Sequence, residues 1–176
     1  DHVGPMTRST ADAAIILQAI AGYDLNDPTS LSDPIPDLLG NIDAGVSGLR
    51  IGVDEHHIKD GVDPELNDAV LSAIRVLDDL GAEIVSFTMP NIDVFLPAWP
   101  VLCSSEAALA HRDNYPFRRE DYGPWFRDWL DMGSGKSAVD YAYANNMRST
   151  CNGLIREAFS DIDVMACPAT IGPPYP

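Results

Sequence analysis

Apolar residues recur along this chain with two periods, and the alternation of those periods lays out its elements. Ala13, Ile16, Leu17, Ile20 and Ala21 fall at three- and four-residue spacing, which is one face of a helix. Ser9 stands before them as an N-cap, Asp12 three residues on makes a variant of the capping box, and Gly22 follows as the residue past the C-terminus. Residues 1–8 read as a loop, because Pro5 drives Gly4 out of the α region. Residues 24–47 are rich in Pro, Asp, Ser and Gly, a long surface connection with one short helical turn around residues 36–41. Residues 48–53 (Gly-Leu-Arg-Ile-Gly-Val) then read as a buried strand and residues 56–61 as a loop.

The next stretch carries the clearest pattern. Asp63 is an N-cap with Pro64 at the first helical position, and Leu66, Ala69, Val70, Ala73, Ile74, Leu77 and Leu80 draw one stripe that Gly81 ends. Residues 82–87 are a second strand, so strand, helix and strand form a βαβ unit with parallel strands. Pro90, Pro97 and Pro100 break the following segment, and a helix is expected from about Val101 to His111. A polar, aromatic loop over residues 112–123 precedes a short helix over residues 124–132. Ser137 with Asp140 opens a long helix whose apolar positions are Val139, Tyr143, Met147, Cys151, Leu154, Ile155 and Phe159. Residues 163–167 are a third strand ended by Pro168. The pattern predicts an α/β fold built on parallel strands and helices, in a single domain over residues 1–176.

Composition narrows the function. With 11 basic and 27 acidic residues the formal charge is −16, a field that repels phosphate and argues against nucleic-acid or anionic-membrane partners. The apolar content of 45% supports a real core. The apolar runs fall short of a membrane-spanning helix, and no secretory signal pattern is present. Cys103, Cys151 and Cys167 are odd in number and not spaced for zinc or a redox pair, so free thiols in a reducing cytoplasm are expected. The chain opens at Asp1 rather than Met, which fits a fragment.

Each motif that suggests chemistry has a plainer reading. Gly135-Lys136-Ser137 lacks the phosphate-loop glycine, since Leu130 occupies that position, and reads as a helix entry. Ser104-Ser105 lies outside any glycine-rich turn that would let backbone amides approach an oxyanion, and reads as ordinary helix-start residues. His56 and His57 are adjacent and point apart, so a solvated loop outweighs a metal site. Lys136 has nothing in the sequence to strip its charge and reads as solvated. No cofactor or metal site emerges.

The opening words are more specific than their pattern. Asp1-His-Val-Gly-Pro-Met-Thr-Arg-Ser-Thr-Ala-Asp-Ala-Ala14 resembles the block downstream of the catalytic serine in the amidase signature family, and residues 24–30 resemble the segment after it. Gly48-Leu-Arg-Ile-Gly-Val53, Leu77-Asp-Asp-Leu-Gly-Ala82, Ser105-Glu-Ala-Ala108 and Asp161-Ile-Asp-Val-Met-Ala-Cys-Pro-Ala-Thr170 are similar to later family segments in the same order, although Ala169 intervenes in the Pro-Thr turn. The resemblance implies an α/β fold with a mixed, largely parallel sheet covered by helices, and hydrolysis of carboxylic amides by a Ser–cis-Ser–Lys triad lying before Asp1. This chain is then part of an amidase-like enzyme, inactive alone, acting in the parent protein on a small-molecule amide.

In family members related to the A-type subunit of glutamyl-tRNA amidotransferase, an aromatic residue lines the substrate pocket, and Trp99 looks like its match. A core or hinge aromatic is the other reading of Trp99. Those amidotransferase proteins tend to carry an Arg-Arg pair shortly before the glycine resembled by Gly133, and this chain has Asp128-Trp129 there. The departure points away from a glutamine carboxylate and toward a more apolar amide. Two alternatives follow: part of a glutamyl-tRNA amidotransferase, or a non-catalytic module that self-associates through an apolar face left uncovered.

Overall fold

The computed structural model describes residues 3–27 and 30–173. The parts of the expected N-terminal loop and of the 24–30 segment that fall on Asp1, His2, Pro28 and Thr29 lie outside them.

Helix α1 (Thr10–Ile20) starts where its cap dictates: the Asp12 N–H donates to Ser9 Oγ at 3.1 Å. Its apolar face is not covered by the described residues. Ile15, Ile16, Leu17 and Ile20 are exposed, and no residue of the helix is buried. The long connection that follows holds a turn at residues 38–43, pinned by Asp37, whose Oδ1 accepts the N–H groups of Leu39 and Gly40.

Three strands, β1 (Arg50–Val53), β2 (Glu83–Ser86) and β3 (Val164–Ala166), form a sheet in the order β2-β1-β3, and all the described strands run parallel. Ile51 pairs with Ile84 on one side and Val164 on the other. An ion pair staples β1 to the start of β3: Arg50 Nη2 lies 2.8 Å from Asp163 Oδ1, and the Arg50 backbone N–H donates to Asp163 Oδ2 at 2.9 Å.

Residues 56–61, expected as a loop, largely form a helix, α2 (Glu55–Lys59). Asp54 caps it, accepting the N–H groups of His56 and His57, while Glu55 and Lys59 pair across one turn at 2.8 Å. Ile58 turns inward and is fully buried, which anchors a helix too short to show periodicity. Helix α3 (Pro64–Asp79) obeys its caps: Asp63 Oδ1 accepts the Glu65 and Leu66 N–H groups, and Gly81 with φ of +94° ends it. Of the stripe, Ile74 is buried, Leu66, Val70 and Leu77 are half-buried, and Ala69, Ala73 and Leu80 are exposed.

Helices α4 (Ala98–Ala110), α5 (Pro124–Ser134) and α6 (Ala138–Ala158) make a second layer. Helix α4 begins before Val101 because Pro100 sits in its first turn, where a missing N–H costs nothing. At α6 the capping box is complete, with Ser137 and Asp140 each taking the other's backbone N–H. Ala98, Leu102 and Ala144 form the core of this layer, with Val101, Tyr141 and Met147 packed around it. The expected α6 stripe is out of phase at its start: Val139 and Tyr143 are exposed, and Tyr141 and Ala144 face inward instead. A run of four-residue steps drifts around a helix of 3.6 residues per turn, so its first members leave the packed face.

Hydrogen bonds hold several carboxylates below their ordinary range: Asp54 through the Met89 N–H, Asp140 through Ser137, Asp163 through Arg50, and Asp131, lowered to about 2, through Arg119 and then Tyr115. Groups depressed in the folded state stabilise it above their unfolded pKa, and that stability is lost as pH falls through the folded value. Thermal melts should therefore show the midpoint dropping from about pH 4 toward about 2, with a shallower drop in Asp131→Asn. An equal slope in that variant would contradict this assignment.

Candidate active-site wall

The carboxyl ends of the strands open into a cleft of about 740 Å³ lined by His56, Asp60, Met89, Asn91, Leu96 and Thr170. Asp54 at its floor is spent on structure, because Oδ1 caps α2 and Oδ2 accepts the Met89 N–H at 2.7 Å. His56 and His57 therefore stand on a helix rather than a loop. His56 Nδ1 faces Asp60 Oδ2 at 3.5 Å on an exposed surface. Among the described residues no group of three or more potential metal ligands occurs.

The helical layer carries a cluster of tryptophans. Trp99, in the first turn of α4, is 62% exposed. Its ring lies 5.6 Å from that of Trp129, tilted by 52°, and Trp129 stacks on Trp125 at 5.8 Å with 11° between planes. The chain's three tryptophans thus form one row. Of this row the sequence singles out Trp99, as a pocket-lining residue or a core or hinge aromatic, and Trp129 only as a departure from Arg-Arg; it does not single out Trp125. The signal for Trp125 was its four-residue spacing from Trp129 on one helix face.

The row is set by the α4–α5 crossing. A Cβ built on Gly133 would lie 1.9 Å from the Ser104 carbonyl oxygen, so the two backbones meet there. A second clamp sits on the other side of α5. Arg119 pairs with both oxygens of Asp131 at 2.9 and 2.7 Å, and the Tyr115 hydroxyl donates to Asp131 Oδ1 at 2.8 Å. Beside it His111 packs edge to face on Tyr122 and Phe126, which stack on each other, with a hydrogen bond of 3.0 Å between His111 Nδ1 and the Tyr122 hydroxyl. Under Trp99 an apolar slot of about 210 Å³ is lined by Ile92, Leu96, Leu102, Arg148 and Cys151.

Ser104 and Ser105 sit in the middle of α4, not at its start. Ser104 is fully buried and its hydroxyl donates to the Val101 carbonyl at 3.5 Å, while Ser105 Oγ is buried among groups that offer it no hydrogen bond. Among the described residues neither hydroxyl is hydrogen-bonded to a basic side chain. Gly135 closes α5 and Ser137 caps α6, so Gly135-Lys136-Ser137 is a helix junction, in which Lys136 is half-buried rather than fully solvated. The three cysteines are free, and burial pushes the Cys103 thiol up, with Glu106 adding to it.

Comparison with known proteins accounts for the whole course of the chain. The Amidase family model matches residues 1–176. An amidase of Pseudomonas putida is 37% identical over 168 residues, covering 96% of this chain and 36% of the relative. The A-type subunit of the glutamyl-tRNA(Gln) amidotransferase of Akkermansia muciniphila is 31% identical over 197 residues, covering 98% of this chain and 42% of the relative. A chain in a solved vestigial protein complex, described as revealing the evolutionary origins of an s-triazine catabolic enzyme, superposes with a TM-score of 0.75 at 26% identity, over 92% of this chain and 35% of that one. This chain therefore spans roughly two-fifths or less of the length of these relatives. The resemblance in the opening block extends to every later element, and the chain belongs to the amidase family.

Proposed function

We propose that this chain is the portion of an amide-hydrolysing enzyme that follows the catalytic serine, and that it forms one wall of the substrate pocket without supplying the nucleophile. The observation that carries this reading is the state of the paired serines. A serine nucleophile needs a base within hydrogen-bond reach and a turn that exposes it to backbone amides. Ser104 is buried inside a helix and bonded to the backbone, and Ser105 Oγ is enclosed. The Ser–cis-Ser–Lys triad then lies in sequence outside these 176 residues, as the share of the relatives left unmatched allows.

Trp99 serves as the pocket wall in this reading. Its exposure at the head of α4, over an apolar slot, suits a group that contacts a small organic amide. Asp128 and Trp129 stand where a glutamyl-tRNA amidotransferase would present arginines, which favours a simple amidase over the amidotransferase alternative. The free thiols suit a reducing compartment, the cytoplasm.

The full-length gene product should release ammonia or amine from simple carboxylic amides, and the isolated 176-residue chain should release none. Turnover by the isolated chain that survives repurification would overturn this reading. The uncovered face of α1 favours a second one, a self-associating module without catalysis. Sedimentation separates them, since a clean monomer that binds no apolar dye argues against the module.

A further inference from the structure

We propose that the outward side of α1 is an interior surface of the parent protein, the joint that seats this portion of the chain against the portion carrying the catalytic serine. This rests on the reading above that the chain is part of a longer amide-hydrolysing enzyme.

Helix α1 is turned inside out for a helix that faces water. A surface helix points an apolar stripe of about 100° at its core and its polar residues at solvent. Here the chain covers the polar side. Gln18 Oε1 accepts the Leu38 N–H at 3.0 Å, and Ala14, Gln18 and Ala21, at four- and three-residue steps along that side, are half-buried. Just past the helix, a Cβ built on Gly22 would lie 3.5 Å from Ile35 Cδ1. The large apolar side chains lie on the other side. Ile15 and Ile20 are 52% and 54% exposed, and Ile16 and Leu17 are exposed as well. Consecutive residues of a helix point about 100° apart, so Ile15, Ile16 and Leu17 spread over about 200° of the circumference. The principal packing among the described elements joins α4 to α5 and α6, and β1 to β2 and β3, and leaves α1 out.

The chemistry of this side selects what covers it. Helices that lie in a membrane surface carry Lys or Arg on their polar side. Helix α1 has neither, and its one charge is Asp12 in the first turn. The net charge of −16 opposes an anionic surface further. A second copy packed helix to helix would meet one stripe and leave the rest of the apolar side wet. A helix apolar over more than half its circumference belongs to the core of a large protein, which covers it from more than one direction. The parent offers such a covering, since this chain spans roughly two-fifths or less of its relatives and α1 lies inside the matched stretch.

Photo-crosslinking of the full-length gene product, grown with photo-leucine in place of leucine, tests this at Leu17. The diazirine barely changes the side chain's size, so the fold is kept, and linked peptides are read by mass spectrometry. Leu17 should link to a peptide of the same molecule outside these 176 residues, at every protein concentration, with no band of twice the mass. Ile16→Ser should lower the thermal midpoint by several degrees, where a solvated position would leave it unchanged. A link from Leu17 to a second copy would overturn the joint in favour of self-association. Links confined to residues 3–173, or an unchanged midpoint, would overturn it in favour of a solvated face. If the gene product releases ammonia from amides and Leu17 links to nothing outside these residues, the joint alone fails. If Leu17 links outside them and no amide is turned over, the interior surface stands and the amidase reading fails. A gene product of these 176 residues alone would overturn both.

Discussion

Gly133→Ala should destabilise the protein by about 3 kcal/mol or more, the upper end of what overpacking costs. The added methyl would sit 1.9 Å from Ser104 O, 2.3 Å from Ser104 C and 2.9 Å from Ser105 N. All three are backbone atoms, so no rotamer change relieves the clash and α4 must move away from α5. That motion separates Trp99 from Trp129, and tryptophan emission should shift along with the loss of stability. Gly153→Ala is the matched control. It lies in α6 with open space around its Cβ position, and replacing a helical glycine with alanine stabilises by about 0.5–1 kcal/mol. Urea unfolding of the two variants should give shifts of opposite sign. Equal shifts would mean that the helices do not touch at Gly133.

Asp54→Ala should cost about 3 kcal/mol in the same assay, because one buried carboxylate serves three backbone donors. The side chain belongs to a residue only 6% exposed. Its Oδ1 takes the His56 and His57 N–H groups at 2.9 and 3.3 Å, and its Oδ2 takes that of Met89 at 2.7 Å. Alanine leaves the start of α2 and the segment after β2 with unanswered donors at once. Asp54→Asn keeps one acceptor oxygen, so it can satisfy the α2 cap or Met89 but not both, and should lose roughly half as much. An asparagine variant as stable as wild type would show that the charge and the second oxygen are dispensable.

The elements legible in the sequence are those whose signal is local. Ser9, Asp63 and Ser137 each cap the helix they were expected to open, since a cap needs only residues within one turn. The parallel pairing of β1 and β2 followed from the α3 stripe between them. Helix α2 escaped because five residues carry no measurable period and its one buried side chain, Ile58, is fixed by tertiary contacts. The inner face of α6 was set by Leu102 and Ala98 on α4, which periodicity along α6 alone does not contain. The row of Trp99, Trp129 and Trp125 depends on a crossing thirty or so residues apart in sequence, so only Trp99 was marked, and by resemblance rather than by pattern. The apolar face of α1 was legible as a face, but its lack of a cover among the described residues was not.

The central claim is that the reacting serine lies outside these 176 residues while the aromatic wall lies inside them. Labelling the full-length gene product with a serine-reactive sulfonyl fluoride, followed by peptide mass spectrometry, tests it most directly. A single modified serine in a glycine- and serine-rich peptide upstream of Asp1, protected by an amide substrate, is the predicted result. Modification of Ser104 or Ser105, with matching loss of activity, would place the nucleophile in α4 and contradict the account.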